Sequence, residues 1–161
     1  RRVNILGYSD ASSIPFVRHL IKCLGYVPLP LKGDLDNMIK MNDAFRYFIQ
    51  EKKQLVLIFP EAHIWPCYTK IRDFRSGSFN YPATLNAPIL PIVTTWHKSK
   101  FSKKPKQTLL IGRAIYPRAD LSVLENKEYL HDACLNQMKE LAASVKQYEY
   151  IEYIKKEEGS N

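Results

Sequence analysis

The sequence predicts an α/β domain with a mixed, largely parallel central sheet flanked by helices. Three observations carry that reading. Leu55-Val56-Leu57-Ile58-Phe59 is an unbroken apolar run that stops at Pro60 and Glu61, the pattern of a buried strand. Just before it, Met38, Met41, Phe45, Phe48 and Ile49 recur at helical spacing with Ala44 beside them. Short apolar segments at 3–8 and 26–31 precede further helical or polar stretches, so strand, helix and strand alternate as a parallel crossover requires. Parallel sheets present their chemistry just past the carboxyl ends of their strands. That places Glu61 and His63 where function is expected.

The 161 residues read as a single domain, 1–161, with 155–161 as a flexible tail. A chain of this length hides about 68–70% of its unfolded surface, enough for a true core. Its 45% apolar and 25% charged residues are ordinary for a globular protein and argue against disorder. The formal net charge of +8 favours an anionic partner: a phosphorylated substrate, a nucleic acid or an acidic lipid surface. Cys23, Cys67 and Cys134 show no C-x-x-C spacing, which argues against a disulfide framework or zinc site and for a reducing compartment. No apolar run is long enough to span a bilayer, and no signal peptide is visible. The chain opens Arg1-Arg2-VNILGY, as if inside a domain, so upstream residues are expected.

In chain order, residues 3–8 read as a strand. Ser9, Asp10, Ser12 and Ser13 form a polar break, and Pro15 opens a helix carrying Phe16, Val17, Leu20, Ile21 and Leu24. The prolines of YVPLPL, 26–31, forbid a central ladder position and suggest an edge strand or an extended loop. The Met38–Ile49 helix follows, then the strand at 55–59. Residues 66–86 are aperiodic and aromatic-rich, with a short helix near 81–85. A strand after Pro88, interrupted at Pro91, leads to His97 and to KSKFSKKPK, 98–106, with five lysines and no acid. Residues 108–111 form the returning strand of a hairpin, and 114–117 extend it beyond a bend. A long helix runs from Glu125 to about Gln147, with Tyr129, Ala133, Met138, Leu141 and Val145 as its expected buried face. The alternating tyrosines at 148, 150 and 153 suggest an edge strand or a fraying helix end.

P-loop, dinucleotide-fingerprint and nucleophile-elbow motifs are all absent, and Glu61 with His63 has no supporting metal-ligand spacing. What remains is FPEAHIWP with APILPI. Phe59-Pro60-Glu61 resembles the Phe-Pro-Glu-Gly block of the PlsC-like glycerolipid acyltransferases, the family of lysophosphatidate and glycerol-3-phosphate acyltransferases. Ala87-Pro88-Ile89-Leu90-Pro91-Ile92 looks like that family's later block. Gly25-Tyr26-Val27-Pro28-Leu29-Pro30 occupies the place of its middle block. Order and spacing agree over roughly residues 14–117, and PEAHIWPCYTKIRDF is similar to a bacterial subgroup. The chain departs from the pattern in three places. No histidine is followed five residues on by an aspartate, as the catalytic HxxxxD block requires; Leu24, Tyr68, Ser102 and Asn136 stand there instead. Ala62 replaces the glycine and His63 a common threonine. The arginine after the middle block is missing, with Lys32 nearby.

The resemblance implies a glycerol-3-phosphate acyltransferase-like fold, truncated at its N-terminal side, with the catalytic His/Asp pair upstream of Arg1. It implies that a fatty acyl group moves from acyl-CoA or acyl carrier protein to a hydroxyl of lysophosphatidate or a related glycerol phosphate, in phospholipid biosynthesis. No cofactor is required. The chain alone is then expected to be inactive. It implies that Glu61 helps position the polyol, a hydrogen-bond acceptor's role rather than a base's. His63, Lys70, Arg72 and Lys32 are the further substrate-binding candidates, the cations for phosphate. Phe59, Pro60, Ala62, Trp65 and Tyr68 are expected to wall the pocket. Lys98, Lys100, Lys103, Lys104 and Lys106 are candidates for meeting the thioester donor or a membrane. The implied location is peripheral, on the cytoplasmic side of a membrane. A non-catalytic lipid- or protein-binding relative is the alternative. A basic nucleic-acid module is a more distant one, since no RNP, KH or zinc-finger pattern is present and no nucleic acid is expected as partner.

Overall fold

A computed structural model describes residues 2–8, 26–29, 35–62 and 65–154. The helix expected after Pro15, together with Lys32, His63 and the tail 155–161, lies outside the described residues.

The fold is mixed α/β. Strands β1 (Val3–Tyr8), β2 (Tyr26–Leu29) and β3 (Leu55–Leu57) form a parallel sheet in the order β2-β1-β3. The register pairs Ile5 with Tyr26 and Val3 with Leu55. Of the two readings of its prolines, β2 takes that of a strand at an edge of the described sheet. Helix α1 (Leu35–Arg46), continued by a wider π-turn over Tyr47–Glu51, connects β2 to β3. Its stripe lands as expected: Met41 and Phe45 are buried with Leu6, and Ala44, Phe48, Ile49, Val56 and Ile58 pack around them. Phe45 stacks on Tyr81 with ring centroids 4.3 Å apart, a geometry that adds to plain area burial. In the central strand Asn4 is 1% exposed. Its amide donates to Gln54 Oε1 at 3.0 Å and to the Leu55 carbonyl at 3.2 Å, which pins the strand-entry side chain of β3.

Two expectations need correction here. The run at 55–59 is not a fully buried strand: it ends at Leu57, Leu55 is 52% exposed and Phe59 62% exposed. The reason is position, since β3 is an edge of the described parallel sheet, with Val56 and Ile58 half-buried against the α1 cluster. The second correction concerns the long helix below.

After a 3₁₀ turn at Ser76–Phe79 comes a short helix, α2 (Asn80–Leu85), which ends at Asn86 in the left-handed region. Strands β4 (Ile92–His97) and β5 (Lys106–Ile111) form the antiparallel hairpin, Ile92 opposite Ile111 and His97 opposite Lys106. Pro91 precedes β4, where its missing N–H costs nothing, and its carbonyl accepts from Gly112 N at 2.9 Å. Ile89 and Ile115 bridge beyond the bend. Helix α3 (Val123–Ala143) covers the inner face of the hairpin. Phe74, Phe79, Ala83, Val93, Ile115, Leu130, Cys134, Met138 and Ala142 make this second core. The buried seam of α3 is therefore Asn126, Leu130, Cys134, Met138 and Ala142. Of the face expected from sequence only Met138 is fully buried; Tyr129, Ala133 and Leu141 flank the seam, and Val145 lies beyond the helix. The seam begins with a polar residue because Asn126 finds every partner it needs. It donates to the carbonyls of Arg118 at 2.8 Å and Leu121 at 3.0 Å and accepts from Arg118 N at 2.7 Å.

The N-terminus of α3 carries a capping box: Ser122 Oγ accepts from Glu125 N at 3.3 Å, and Glu125 Oε2 accepts from Ser122 N at 2.8 Å. The hydroxyl and backbone of Ser122 hold the Glu125 carboxyl below its ordinary value, the Lys139 hydrogen bond does so for Asp73, and Arg118 for Asp120. Depressed carboxylates contribute stability above their ordinary values, 4.5 for Glu and 3.8 for Asp, and lose it as pH falls through the lower folded values. The melting temperature is therefore expected to decline on acidification below pH 4.5. A melting temperature followed by circular dichroism that stays level well below pH 3.8 would show these contacts to be inert.

Candidate active site

Glu61 stands just past the carboxyl end of β3. A tight turn places it there: Ala62 N donates to the Phe59 carbonyl at 3.2 Å, and Ala62 takes φ of 62°. Glycine favours that region, so alanine at this position is held by its surroundings at some conformational cost. Arg72 then fixes the turn from across the loop. Its backbone N and its Nε both donate to Glu61 Oε2, at 3.3 and 3.2 Å, and its Nη2 donates to the Glu61 carbonyl at 3.2 Å. The side chains are 18% exposed for Arg72 and 26% for Glu61. Both donors meet one carboxylate oxygen. Oε1 accepts no hydrogen bond among the described residues. The result is a carboxylate oriented through one of its two oxygens.

The guanidinium of Arg72 also lies 4.6 Å from the Trp65 ring centroid. Trp65 stacks on Tyr153 at 5.0 Å, and Tyr68 meets both rings edge-on. The Tyr153 hydroxyl donates to the Pro66 carbonyl at 2.7 Å. The expected wall residues Trp65 and Tyr68 thus form an aromatic brace behind Arg72. Trp65 remains 41% exposed and Phe59 is more so. Pro60 and Ala62 belong to the turn that carries Glu61.

The other candidates are placed elsewhere. Lys70 is exposed and borders a cavity of about 290 Å³ with Thr69, Ile71, Lys139, Ala142 and Ala143. Lys98 and Lys103 border a second, of about 260 Å³, with Ser102 and Tyr148–Tyr150. Glu61 lines neither. Lys100, Lys104 and Lys106 are exposed on the hairpin. The structure brings together Glu61, Arg72, Trp65 and Tyr68; Lys70 and the hairpin lysines share no hydrogen bond, ion pair or ring contact with that group among the described residues.

Gln147 was not singled out by sequence. Its Nε2 donates to the carbonyls of Thr69 at 2.8 Å and Ala142 at 3.1 Å, and its Oε1 accepts from Trp96 N at 3.2 Å. It ties the loop behind Arg72 to α3 and β4; only the polarity of a glutamine beyond an amphipathic helix hinted at this. The tail is neither strand nor helix. It is an extended segment docked by tyrosine hydroxyls, Tyr150 onto the His97 carbonyl at 3.0 Å and Tyr153 onto Pro66.

Two other reactive side chains are structural. Burial pushes the Cys134 thiol up to about 11, which leaves it protonated and unreactive. Thr95, fully buried, donates its hydroxyl to the Thr108 carbonyl at 3.1 Å, so its oxygen accepts from His97 Nε2 at 3.0 Å. Among the described residues no group of His, Cys, Asp and Glu is placed to hold a metal, and no helix is long and apolar enough to cross a membrane.

Phe59-Pro60-Glu61 thus forms the turn that follows a parallel strand, with the Glu61 carboxylate held by Arg72. A family model described as Acyltransferase matches residues 1–95, more than half of the chain, and the chain belongs to that family. Its fold is similar to that of the 1-acyl-sn-glycerophosphate (LPA) acyltransferase PlsC from Thermotoga maritima, with a TM-score of 0.55 at 20% sequence identity. The similarity covers 91% of this chain and 59% of that structure, so the chain spans less than two thirds of its relative's length. No curated protein sequence matches the chain.

Proposed function

We propose that this chain is the larger, carboxy-terminal part of a PlsC-like domain. It would transfer a fatty acyl group from acyl-CoA or acyl carrier protein to a hydroxyl of lysophosphatidate or a related glycerol phosphate. The observation that carries the proposal is the Glu61–Arg72 clamp: Oε2 is held and Oε1 is left to accept a polyol hydroxyl. Arg72 is then first a positioning residue for Glu61. The general base is a histidine paired with an aspartate, supplied from outside these residues. It must lie within about 2.6–3.2 Å of the attacking hydroxyl. The hydroxyl oxygen attacks the thioester carbonyl, the thiol leaves, and donors facing the developing oxyanion lower the barrier. Glu61, acceptor only when ionised, orients the polyol without removing its proton. Lys32 and His63 remain proposed for the phosphate, while Lys70 borders a cavity that Glu61 does not line. The domain works peripherally, at the cytoplasmic face of a membrane.

The test is a thioester-release assay with glycerol-3-phosphate and lysophosphatidate as acceptors. The chain as given, whose four histidines all lack the aspartate five residues on, is expected to give no turnover. A polypeptide extended upstream to include such a pair is expected to be active. Robust turnover by the 161-residue chain itself would overturn the assignment of the base. Inactivity of the extended protein toward every glycerol phosphate would overturn the enzyme reading.

A further inference from the structure

The charge of this protein is concentrated in one stretch. Residues 74–119 contain eight Lys and Arg and no Asp or Glu, and the rest of the chain holds sixteen of each sign. The net charge of +8 therefore belongs to the β4–β5 hairpin and its flanks. At the hairpin tip Lys98, Lys100, Lys103, Lys104 and Lys106 are all exposed, and among them Phe101 is 98% exposed. The tip is an ordered turn. Ser99 Oγ accepts from Phe101 N at 3.3 Å and Ser102 Oγ from Lys104 N at 3.0 Å, so the phenyl ring is carried on a shaped loop. Behind it Lys98 Nζ lies 5.6 Å from the Tyr148 ring, itself 44% exposed. On β5, Leu109 and Ile111 are each 64% exposed.

We infer that the tip of the β4–β5 hairpin is a contact for an anionic bilayer surface, with Phe101 entering the interface and the surrounding lysines meeting lipid phosphates. Lysines near an acidic leaflet are attracted within a Debye length, and an apolar ring among them adds area that water disfavours. A bilayer suits the shape. Phe101 is 98% exposed and is not among the residues that border the cavity of Lys98, Lys103 and Tyr148, whereas single-stranded nucleic acid is tracked by a groove in which successive aromatics stack. An acidic protein partner would use the lysines but leave the phenyl ring unexplained. The inference does not rest on acyl transfer, because binding is read without turnover.

The test is co-sedimentation of the chain with vesicles of phosphatidylcholine alone and of phosphatidylcholine mixed with phosphatidylglycerol, at low and high salt. Binding to the mixed vesicles, weakened by salt, is expected. Lys103→Gln with Lys104→Gln is expected to weaken it roughly 25-fold, from about fivefold per lysine. Phe101→Ser is expected to weaken it about tenfold. All three sites are exposed, and an unchanged circular dichroism spectrum confirms that the variants fold. In Phe101→Trp, added tryptophan emission is expected to shift to the blue on mixed vesicles and to be quenched by brominated acyl chains. Equal binding to both vesicle types, variants that bind like the parent, or an unshifted Phe101→Trp emission would each overturn the inference. So would loss of polynucleotide or acidic-protein binding in the variants while vesicle binding persists.

Discussion

Replacing Leu130 with alanine is expected to lower the free energy of unfolding by about 2–5 kcal/mol. Leu130 is 0% exposed at the middle of the α3 seam, with Phe74, Phe79, Val93 and Ile115 in the same cluster. Those neighbours come from the aperiodic loop, the 3₁₀ turn, β4 and the segment beyond β5, so no single element can shift to fill the space. Leu124→Ala is the control, because Leu124 is on the same helix but 67% exposed. Its effect is expected within about 0.5 kcal/mol. Urea unfolding of both variants measures the difference. A loss of less than about 1 kcal/mol at Leu130 would mean that the second core is not assembled as described.

In a catalytically competent, upstream-extended polypeptide, Glu61→Gln is expected to lower kcat/KM between about tenfold and a hundredfold, the worth of a hydrogen bond to a charged group. Arg72→Gln is expected to have a comparable effect for a different reason: it frees Oε2 and lets the carboxylate turn away. The two roles open to Arg72 separate by acceptor. As a positioning residue, its loss costs the same with a phosphorylated acceptor and with a monoacylglycerol. As a phosphate ligand, its loss costs only with the phosphorylated one. The double variant is expected to be little worse than either single one, since both changes break one unit. Full additivity of the two, or a loss confined to phosphorylated acceptors, would remove the positioning role from Arg72.

The sequence was legible where one physical rule acted alone. The α1 stripe, the hairpin of β4 and β5, the proline-marked edge of β2 and the short helix after Asn80 all appear where periodicity and turn chemistry place them. It was less legible where partners distant in sequence decide. The apolar run at 55–59 looked buried, but which sheet edge a strand occupies is a tertiary fact. On α3 the choice among apolar faces turned on Asn126, which looks like a surface residue until the carbonyls of Arg118 and Leu121 come within reach. The signal Ser122-x-x-Glu125 is local, and reading the helix from Glu125 starts it too late. For the candidate site, Glu61 is legible from its place after a strand and from the Phe-Pro-Glu block. Its pairing with Arg72 spans eleven residues of loop with no periodicity to predict it. His63 and Lys32 lie outside the described residues.

Gln147 has a mechanical consequence. One amide group grips the loop that carries the guanidinium and, through its oxygen, the strand that leads to the lysine-rich tip. Tyr150 holds the end of that same strand, and Tyr153 the start of that same loop. The tail works as a lashing that ties the first strand of the hairpin to the loop whose guanidinium steadies the carboxylate at 61.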